Sequence, residues 1–281
     1  MSWATEVAEG LFATLFPADC RICGDPLIRI SRLPVCETCL DAIRPIDGTL
    51  CDLCGERILS PYAITQQSAD NSYEQFCGLC RRLEPPFAKA AAYGSYQGGL
   101  RDLIHMLKYQ QVRPAANVLG RMLAEAVTDL EPHWGPASVL VVPVPLFARK
   151  LRQRGFNQAE LIARVALKGI AAKDKYALSA DVLDRTRETQ SQIGLTRYQR
   201  REDLRGAFRV KDHAKISGRE VLLVDDVFTT GTTASECARV LRRAGASRVW
   251  VAIVARTLKA EVQGLRLEPQ DEDALTMAAH G

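Results

Sequence analysis

The sequence predicts an α/β fold, a parallel sheet flanked by helices, preceded by a small module stapled through cysteine. Three observations carry this prediction. The apolar runs Val221–Val224 and Ser138–Val142 are short, continuous and followed by turn residues, as strands buried on both faces must be. Val221–Val224 leads through Asp225 and Asp226 into a Thr- and Gly-rich turn and then an amphipathic helix, the order of a βα unit. Eight of the nine cysteines form four CxxC pairs within the first 80 residues, far more than a packed α/β core uses.

At 281 residues, 47% hydrophobic and 25% charged, the chain is long enough for one sizeable core plus a smaller module. The stretch Trp3–Phe16 leans apolar, but Glu6 and Glu9 break it and no basic segment precedes it, so neither a membrane span nor a secretory signal is predicted. It reads as an amphipathic helix over residues 1–16 that packs Val7, Leu11, Leu15 and Phe16 on a neighbour. The expected setting is cytoplasmic, without stable membrane insertion. The cysteine module is expected over residues 17–85, the α/β domain over 86–258 and a disordered tail over 259–281.

The cysteine pairs are Cys20/Cys23, Cys36/Cys39, Cys51/Cys54 and Cys77/Cys80. A CxxC knuckle turns two thiolates toward one tetrahedral ion about 2.3 Å from each sulfur, and two knuckles close a structural zinc site. Gly24 and Gly55 directly follow a knuckle, and Gly78 lies inside one, where a tight turn brings N–H groups toward sulfur. Two zinc ions are expected. Sequential pairing closes runs of 12 and 22 residues and is preferred; an interleaved cross-brace is the alternative. A disulfide framework needs an oxidising compartment that nothing here indicates, and a redox dithiol needs one pair rather than four. Cys237 stands apart as a small buried helix residue.

Glu84-Pro85-Pro86 marks the linker. Beyond it AKAAAYGSY reads as a strand and GGLRDLIHMLKY as a helix with Leu100, Leu103, Ile104 and Leu107 on one face. Pro114–Leu130 reads as the next helix. His105 is expected to be hydrogen-bonded rather than a metal ligand. Lys108 is expected in solvent, with approach to an anion site as the alternative.

The strand Ser138–Val142 runs into Pro143-Val144-Pro145, a rigid turn, and then into Arg149, Lys150, Arg152 and Arg154, cations suited to a phosphate. Residues 185–205 are polar and Arg-rich, with Gly194 inside, and read as a loop followed by a short helix. The net charge of +4 is uneven: residues 149–219 hold 18 Lys and Arg against 8 Asp and Glu, so the rest of the chain is net acidic.

Beyond Val221–Val224 and the Asp pair, Thr229, Thr230, Gly231, Thr232 and Thr233 allow successive N–H groups to turn inward at a helix start, a cradle for phosphate. Ala234, Cys237, Ala238 and Leu241 follow at helical spacing, Arg242 and Arg243 fill the last turn, and Gly245 is the stop. No Lys-Ser/Thr pair follows Gly231, and no GxGxxG follows a strand, so P-loop ATPase and Rossmann dehydrogenase readings fall away.

The run VLLVDDVFTTGTT resembles the signature with which type I phosphoribosyltransferases bind 5-phosphoribosyl 1-pyrophosphate (PRPP). The resemblance implies binding through Val224, Asp225, Asp226, Val227, Thr229, Thr230, Gly231, Thr232 and Thr233, with Asp225 and Asp226 on the ribose 2- and 3-hydroxyls as the catalytic pair. It assigns Pro143, Val144, Pro145, Arg149, Arg152 and Arg154 to the pyrophosphate, and Arg185, Gln190, Gln192, Arg200 and Arg201 to a flap that closes over PRPP. The small Gly-containing pyrophosphate loop of base-salvage enzymes is missing.

Taken in order, the four CxxC knuckles, LIHMLKY, VVPVPL, RQRGFNQAE, TQSQIGLTRYQRREDLRGAF and VLLVDDVFTTGTT resemble the ComF (ComFC-like) family over residues 11–257. This implies a double zinc ribbon before a type I phosphoribosyltransferase core, Mg2+ taken up with PRPP, and a cytosolic role in natural transformation. Single-stranded DNA and a competence helicase or other DNA-processing proteins are the implied partners. Three readings stay open: a PRPP-binding protein that handles DNA, a phosphoribosyltransferase with an unidentified acceptor in which Arg149, Arg152 or Arg154 steadies the leaving pyrophosphate, and a PRPP sensor without turnover. The sequence shows no run of aromatics interleaved with Lys and Arg for base stacking; Tyr62, Tyr73, Phe76, Tyr93, Tyr96 and Tyr109 are scattered candidates.

Overall fold

A computed structural model describes residues 18–27, 31–58, 65–67, 73–189 and 197–258. The expected helix over residues 1–16 and the tail over 259–281 lie outside these described residues. The core is a five-stranded, wholly parallel sheet of β3 (Lys89–Ser95), β4 (Val139–Pro143), β5 (Tyr176–Leu178), β8 (Glu220–Phe228) and β9 (Arg248–Arg256). Its strand order is β3-β9-β8-β4-β5. Val221, Leu222, Leu223 and Val224 are at most 1% exposed, so the central strand is buried on both faces, which explains its unbroken apolar run.

Helices cover both sides. On one face lie α2 (Gly98–Tyr109), α3 (Ala115–Thr128) and α5 (Gln158–Gly169), which contribute Leu103, Ile104, Leu119, Leu123 and Ile162 to a core that also takes Leu222 and Val224. Helix α3 meets α5 closely at Gly120, where a Cβ would fall 2.4 Å from a Val165 methyl. On the other face α7 (Thr232–Arg243) packs Cys237, Ala238 and Leu241 against Val221 and Leu223. The antiparallel pair β6 (Leu183–Arg185) and β7 (Phe208–Val210) joins that side, with α6 (Arg197–Leu204) between them in sequence. The sequence placed a loop and a short helix across residues 185–205; Arg185 instead closes a strand, because its backbone pairs with Phe208.

The cysteine module carries one short helix, α1 (Glu37–Asp41), and a small antiparallel pair, β1 (Thr65–Gln67) and β2 (Tyr73–Gln75). Its two halves divide between the two cores: Cys20, Leu33 and Val35 pack with α2 and α3, whereas Cys51, Cys54, Cys77 and Cys80 pack with the α7 side. The module also covers the exposed edge of β3, where Ala90 N–H donates to the Leu53 carbonyl (2.8 Å) and Ile46 N–H to the Tyr93 carbonyl (2.7 Å). A bare edge strand would invite pairing with other chains.

Candidate functional site

The thiols gather in two groups, Cys20/Cys23/Cys36/Cys39 and Cys51/Cys54/Cys77/Cys80, each with its sulfurs within 4.8 Å of one another. Sequential pairing is therefore the arrangement found. Cys23 and Cys36 Sγ are 3.7 Å apart, as are Cys54 and Cys77 Sγ, close to the edge of about 3.8 Å of a tetrahedron with 2.3 Å arms. The backbone supports the first group: Cys36 N–H points at Cys20 Sγ (3.3 Å) and Cys39 N–H at Cys36 Sγ (3.4 Å). All four sulfurs of the second group belong to buried residues. Both donor sets suit one structural zinc each.

The second site sits where the sheet opens. Pairing of β4 with β8 ends at Pro143 opposite Val224, while β8 continues beside β9 as far as Phe228 opposite Arg256. Asp225 and Asp226 thus lie inside β8 rather than beyond it, on the stretch that has outrun its β4 neighbour, at the carboxyl edge where open α/β sheets take ligands. Strand alternation sends them to opposite faces. Asp226 follows Leu222 and Val224 toward α2 and α5, where its carboxylate pairs with the Lys108 ammonium and accepts from Gln158 Nε2 (3.4 Å). Asp225 turns toward the face of Arg185 and Cys237.

Charge is set by these partners. Burial raises the Asp226 carboxyl, but Lys108 outweighs it and holds the group below the usual carboxylate range. Lys108 is correspondingly raised: its burial favours the neutral amine, and the Asp226 charge overrides that. For Asp225, burial and then the Asp226 charge outweigh the more distant Lys108 and push the carboxyl well up. Lys150 is pushed down by desolvation and by the neighbouring Arg185, Arg154 and Lys108. Lys108 from α2 pairs with Asp226, Arg154 from α4 (Ala148–Arg154) reaches it through Gln158, and Arg185 from β6 lies on the Asp225 side, so cations crowd the carboxylate pair. Such crowding costs energy until a multiply charged anion enters.

The threonine turn completes the edge. Gly231 caps α7 with φ 73° and ψ 8°, the left-handed region, and a Cβ there would fall 2.4 Å from Phe228 Cζ. The Thr230 and Thr232 hydroxyls share a 2.7 Å hydrogen bond, and the first turn of α7 directs N–H groups outward as a helix start does. Behind the turn the Phe228 ring lies 4.6 Å beneath the Arg256 guanidinium, which donates to the Cys54 carbonyl (2.5 Å) and to Glu56 Oε2 (3.0 Å). The second cysteine group and the threonine turn thus share one buried contact chain.

The other expected residues fall around this edge. Pro143 ends β4; Val144 is buried, its N–H donating to the Val224 carbonyl (2.8 Å) and its own carbonyl accepting from Asn157 Nδ2 (3.0 Å); Pro145 is buried beside it. Arg154 donates to Gln158, and so reaches Asp226 through one side chain. Arg149 points outward to Glu188, and Arg152 is exposed. Arg185 donates to Thr189 and lies over the Phe208 ring (5.4 Å). Arg200 and Arg201 lie on α6, with side chains outside the described ones, and Gln190 and Gln192 fall outside the described residues.

Lys108 corrects the expectation of a solvated lysine: its side chain is 17% exposed and paired. A signal existed, because Lys108 follows Ile104 by four residues and so shares the buried stripe of α2. Gln158, Arg256 and Glu56 were not singled out; only the fold brings them to the site. His105 is hydrogen-bonded as expected, its Nε2 2.9 Å from the Tyr96 hydroxyl.

A profile described as a double zinc ribbon domain matches residues 11–81, and one described as a phosphoribosyl transferase domain matches residues 153–267. The chain is 32% identical over 243 residues to the DNA utilization protein YhgH of Escherichia coli (strain K12), covering 86% of this chain and 98% of that protein. It is 31% identical over 224 residues to Competence protein F of Haemophilus influenzae, covering 79% of this chain and 96% of that protein. The chain belongs to the ComF family. A more distant ComF relative, Competence protein ComFC of Bacillus subtilis (strain 168), is 22% identical over 214 residues, covering 75% of this chain and 79% of that protein. The ComF architecture accounts for both halves of the molecule: the cysteine groups form the double ribbon, and the parallel sheet with its threonine turn is the phosphoribosyltransferase core. Among the described residues no helix is long and apolar enough to cross a membrane.

Proposed function

We propose that this ComF protein binds PRPP with Mg2+ at the carboxyl edge of β8 and uses that site while handling single-stranded DNA in competence. The observation that carries the PRPP half is the gathering of Lys108, Arg154 and Arg185 about Asp225 and Asp226. Few metabolites unite what that array asks for: hydroxyls for carboxylates, a pyrophosphate for several cations, and a terminal phosphate for a helix start. In this reading Asp225 and Asp226 take the ribose hydroxyls and Thr229–Thr233 take the 5-phosphate. Arg154 reaches the pyrophosphate, which brings Mg2+ with it, and Arg149 and Arg152 turn in from the outer side of α4 when the ligand binds. The names of the relatives, DNA utilization and competence proteins, support the DNA half.

Calorimetric titration with PRPP and Mg2+, repeated in the presence of a single-stranded oligonucleotide, tests the reading. Asp225→Asn with Asp226→Asn should abolish the heat of binding; absence of affinity in the wild type at millimolar PRPP overturns the proposal. DNA affinity should fall steeply with salt and drop in Arg200→Ala/Arg201→Ala. Turnover is a second reading favoured by the same cations, which suit a departing pyrophosphate. Release of pyrophosphate from PRPP, lost in the double Asp variant, distinguishes it from ligand sensing alone.

A further inference from the structure

The sequence shows no aromatic run interleaved with basic residues, yet the fold assembles one. Two turns meet beside the phosphate edge: the turn after α2, Tyr109 to Arg113, and the turn between α4 and α5, Arg154 to Phe156. The Arg154 guanidinium lies 5.8 Å from the Tyr109 ring centroid, and the Arg113 guanidinium 5.1 Å from that of Phe156. The two pairs are neighbours, since a Cβ on Gly155 would sit 3.8 Å from Arg113 Nη2. On the far side the His105 ring is 5.2 Å from Tyr109 in edge contact and 6.3 Å from Tyr96. Three rings and two cation–ring pairs therefore line one rim.

Tyr109 is the odd member. It ends a helix whose neighbouring residues Met106 and Leu107 are buried, yet its own surface is 69% exposed, the largest exposure among the exposed large hydrophobic residues described. Its neighbour in sequence, Lys108, holds Asp226, so the ring stands at the lip of the phosphate site. An exposed ring beside cations offers a face on which a planar group can stack.

We propose that this rim is a base-stacking platform for single-stranded nucleic acid: an unpaired base stacks on Tyr109, and Arg113 takes a flanking phosphate. The charge and the ring geometry favour that occupant over others, because a strand offers planar rings and anions alternately, while a duplex keeps its base faces stacked on one another. The inference rests on the DNA half of the proposed function and gives it a location separate from Arg200 and Arg201. It needs neither PRPP nor turnover.

The test compares two single-stranded probes of equal charge by fluorescence anisotropy: oligothymidylate of about fifteen residues, within the span of such sites, and an abasic oligomer of the same length. Wild type should prefer the oligothymidylate by roughly five- to a hundredfold, the worth of one stacked base. Tyr109→Ala should erase that preference while leaving the abasic affinity and the salt slope unchanged, and Tyr109→Phe should retain it. Arg113→Gln should instead weaken both probes and reduce the salt slope by about one. Retention of the base preference in Tyr109→Ala, or equal weakening of both probes, overturns the platform. So does a Tyr109 effect seen only with free thymidine, which would make the rim an acceptor pocket. PRPP calorimetry on the same samples keeps the two readings apart. A protein that binds oligothymidylate through Tyr109 but ignores PRPP retains the platform and loses the PRPP assignment. One that binds PRPP but neither oligomer loses the platform and the DNA half together.

Discussion

The Lys108 ammonium and the Asp226 carboxylate form an ion pair at the mouth of the sheet, with side chains only 17% and 4% exposed. Removing one partner from such a pair strands a buried charge, at a cost of about 3–5 kcal/mol. Lys108→Met should therefore be destabilised by about that amount in urea unfolding near neutral pH. The Asp226 carboxyl is depressed, so its contribution is full above the unfolded value of about 3.9 and is lost as pH falls through the folded one. Without Lys108, burial raises the carboxyl and the variant escapes its penalty by taking up a proton. The gap between wild type and Lys108→Met should narrow toward acid, and Lys108→Met/Asp226→Asn should recover part of the loss. A gap independent of pH would contradict the pairing.

Asp225 carries the opposite sign. Burial and the adjacent Asp226 charge raise it, so the unfolded chain gives up this proton earlier than the folded one does. Folded stability then declines as pH rises from the unfolded value of about 3.9 to the raised folded one. Asp225→Asn should melt higher than wild type at about pH 8, by about 2–4 °C for each ~1 kcal/mol relieved, and nearly alike at about pH 4. The same variant should lose PRPP affinity at least about tenfold, since an amide is a poorer acceptor for ribose hydroxyls than a carboxylate. Wild-type affinity should strengthen with pH over that window. Differential scanning fluorimetry and calorimetry read the two effects separately, and a lower melting point for Asp225→Asn would sink the account.

Arg256 links the second zinc ribbon to the phosphate turn. It is 4% exposed, bonded to the Cys54 carbonyl and Glu56, and lies over the Phe228 ring that backs Gly231. Chelating zinc removes the constraint on Cys54, and Arg256→Met removes the linker while leaving the sulfurs in place. Both should weaken PRPP binding by roughly 5–150-fold, the usual range for coupled sites. Arg256→Met should nevertheless retain its full zinc content by metal analysis. Unchanged PRPP affinity after both treatments would show that the ribbon and the turn act independently.

What the sequence made legible was local. Val221–Val224 announced a doubly buried strand in four residues, and each CxxC knuckle is complete within four. The threonine turn and the stop at Gly245, with φ 97°, needed no distant information either. The losses are residues whose partners lie far along the chain. Lysine is solvated by default, and it is Asp226, more than a hundred residues away in sequence, that makes the burial of Lys108 tolerable. Strands β6 and β7 are three residues each, too short to display alternation, and a long polar segment separates them. The ring-and-cation rim was invisible because Tyr109 and Arg113 find Arg154 and Phe156 across a contact between two turns.

Gly231 offers the sharpest test of the phosphate turn. With φ 73° it occupies backbone space that costs an L-residue about 1–2 kcal/mol, and a Cβ would fall 2.4 Å from Phe228 Cζ and 2.8 Å from Cε1. The ring cannot swing aside freely, because Arg256 covers it at 4.6 Å and Phe87 meets it edge-on at 6.2 Å. In Gly231→Ala the turn must move instead, carrying the Thr230–Thr232 hydroxyl pair and the first N–H groups of α7 with it. PRPP affinity should fall at least about tenfold while zinc content stays full, and global stability should drop by only about 1–3 kcal/mol. Adding Phe228→Leu frees space but leaves the backbone strain, so affinity should return only in part. Full recovery in that double variant would assign the defect to the ring alone, and wild-type affinity in Gly231→Ala would remove the turn from the binding site.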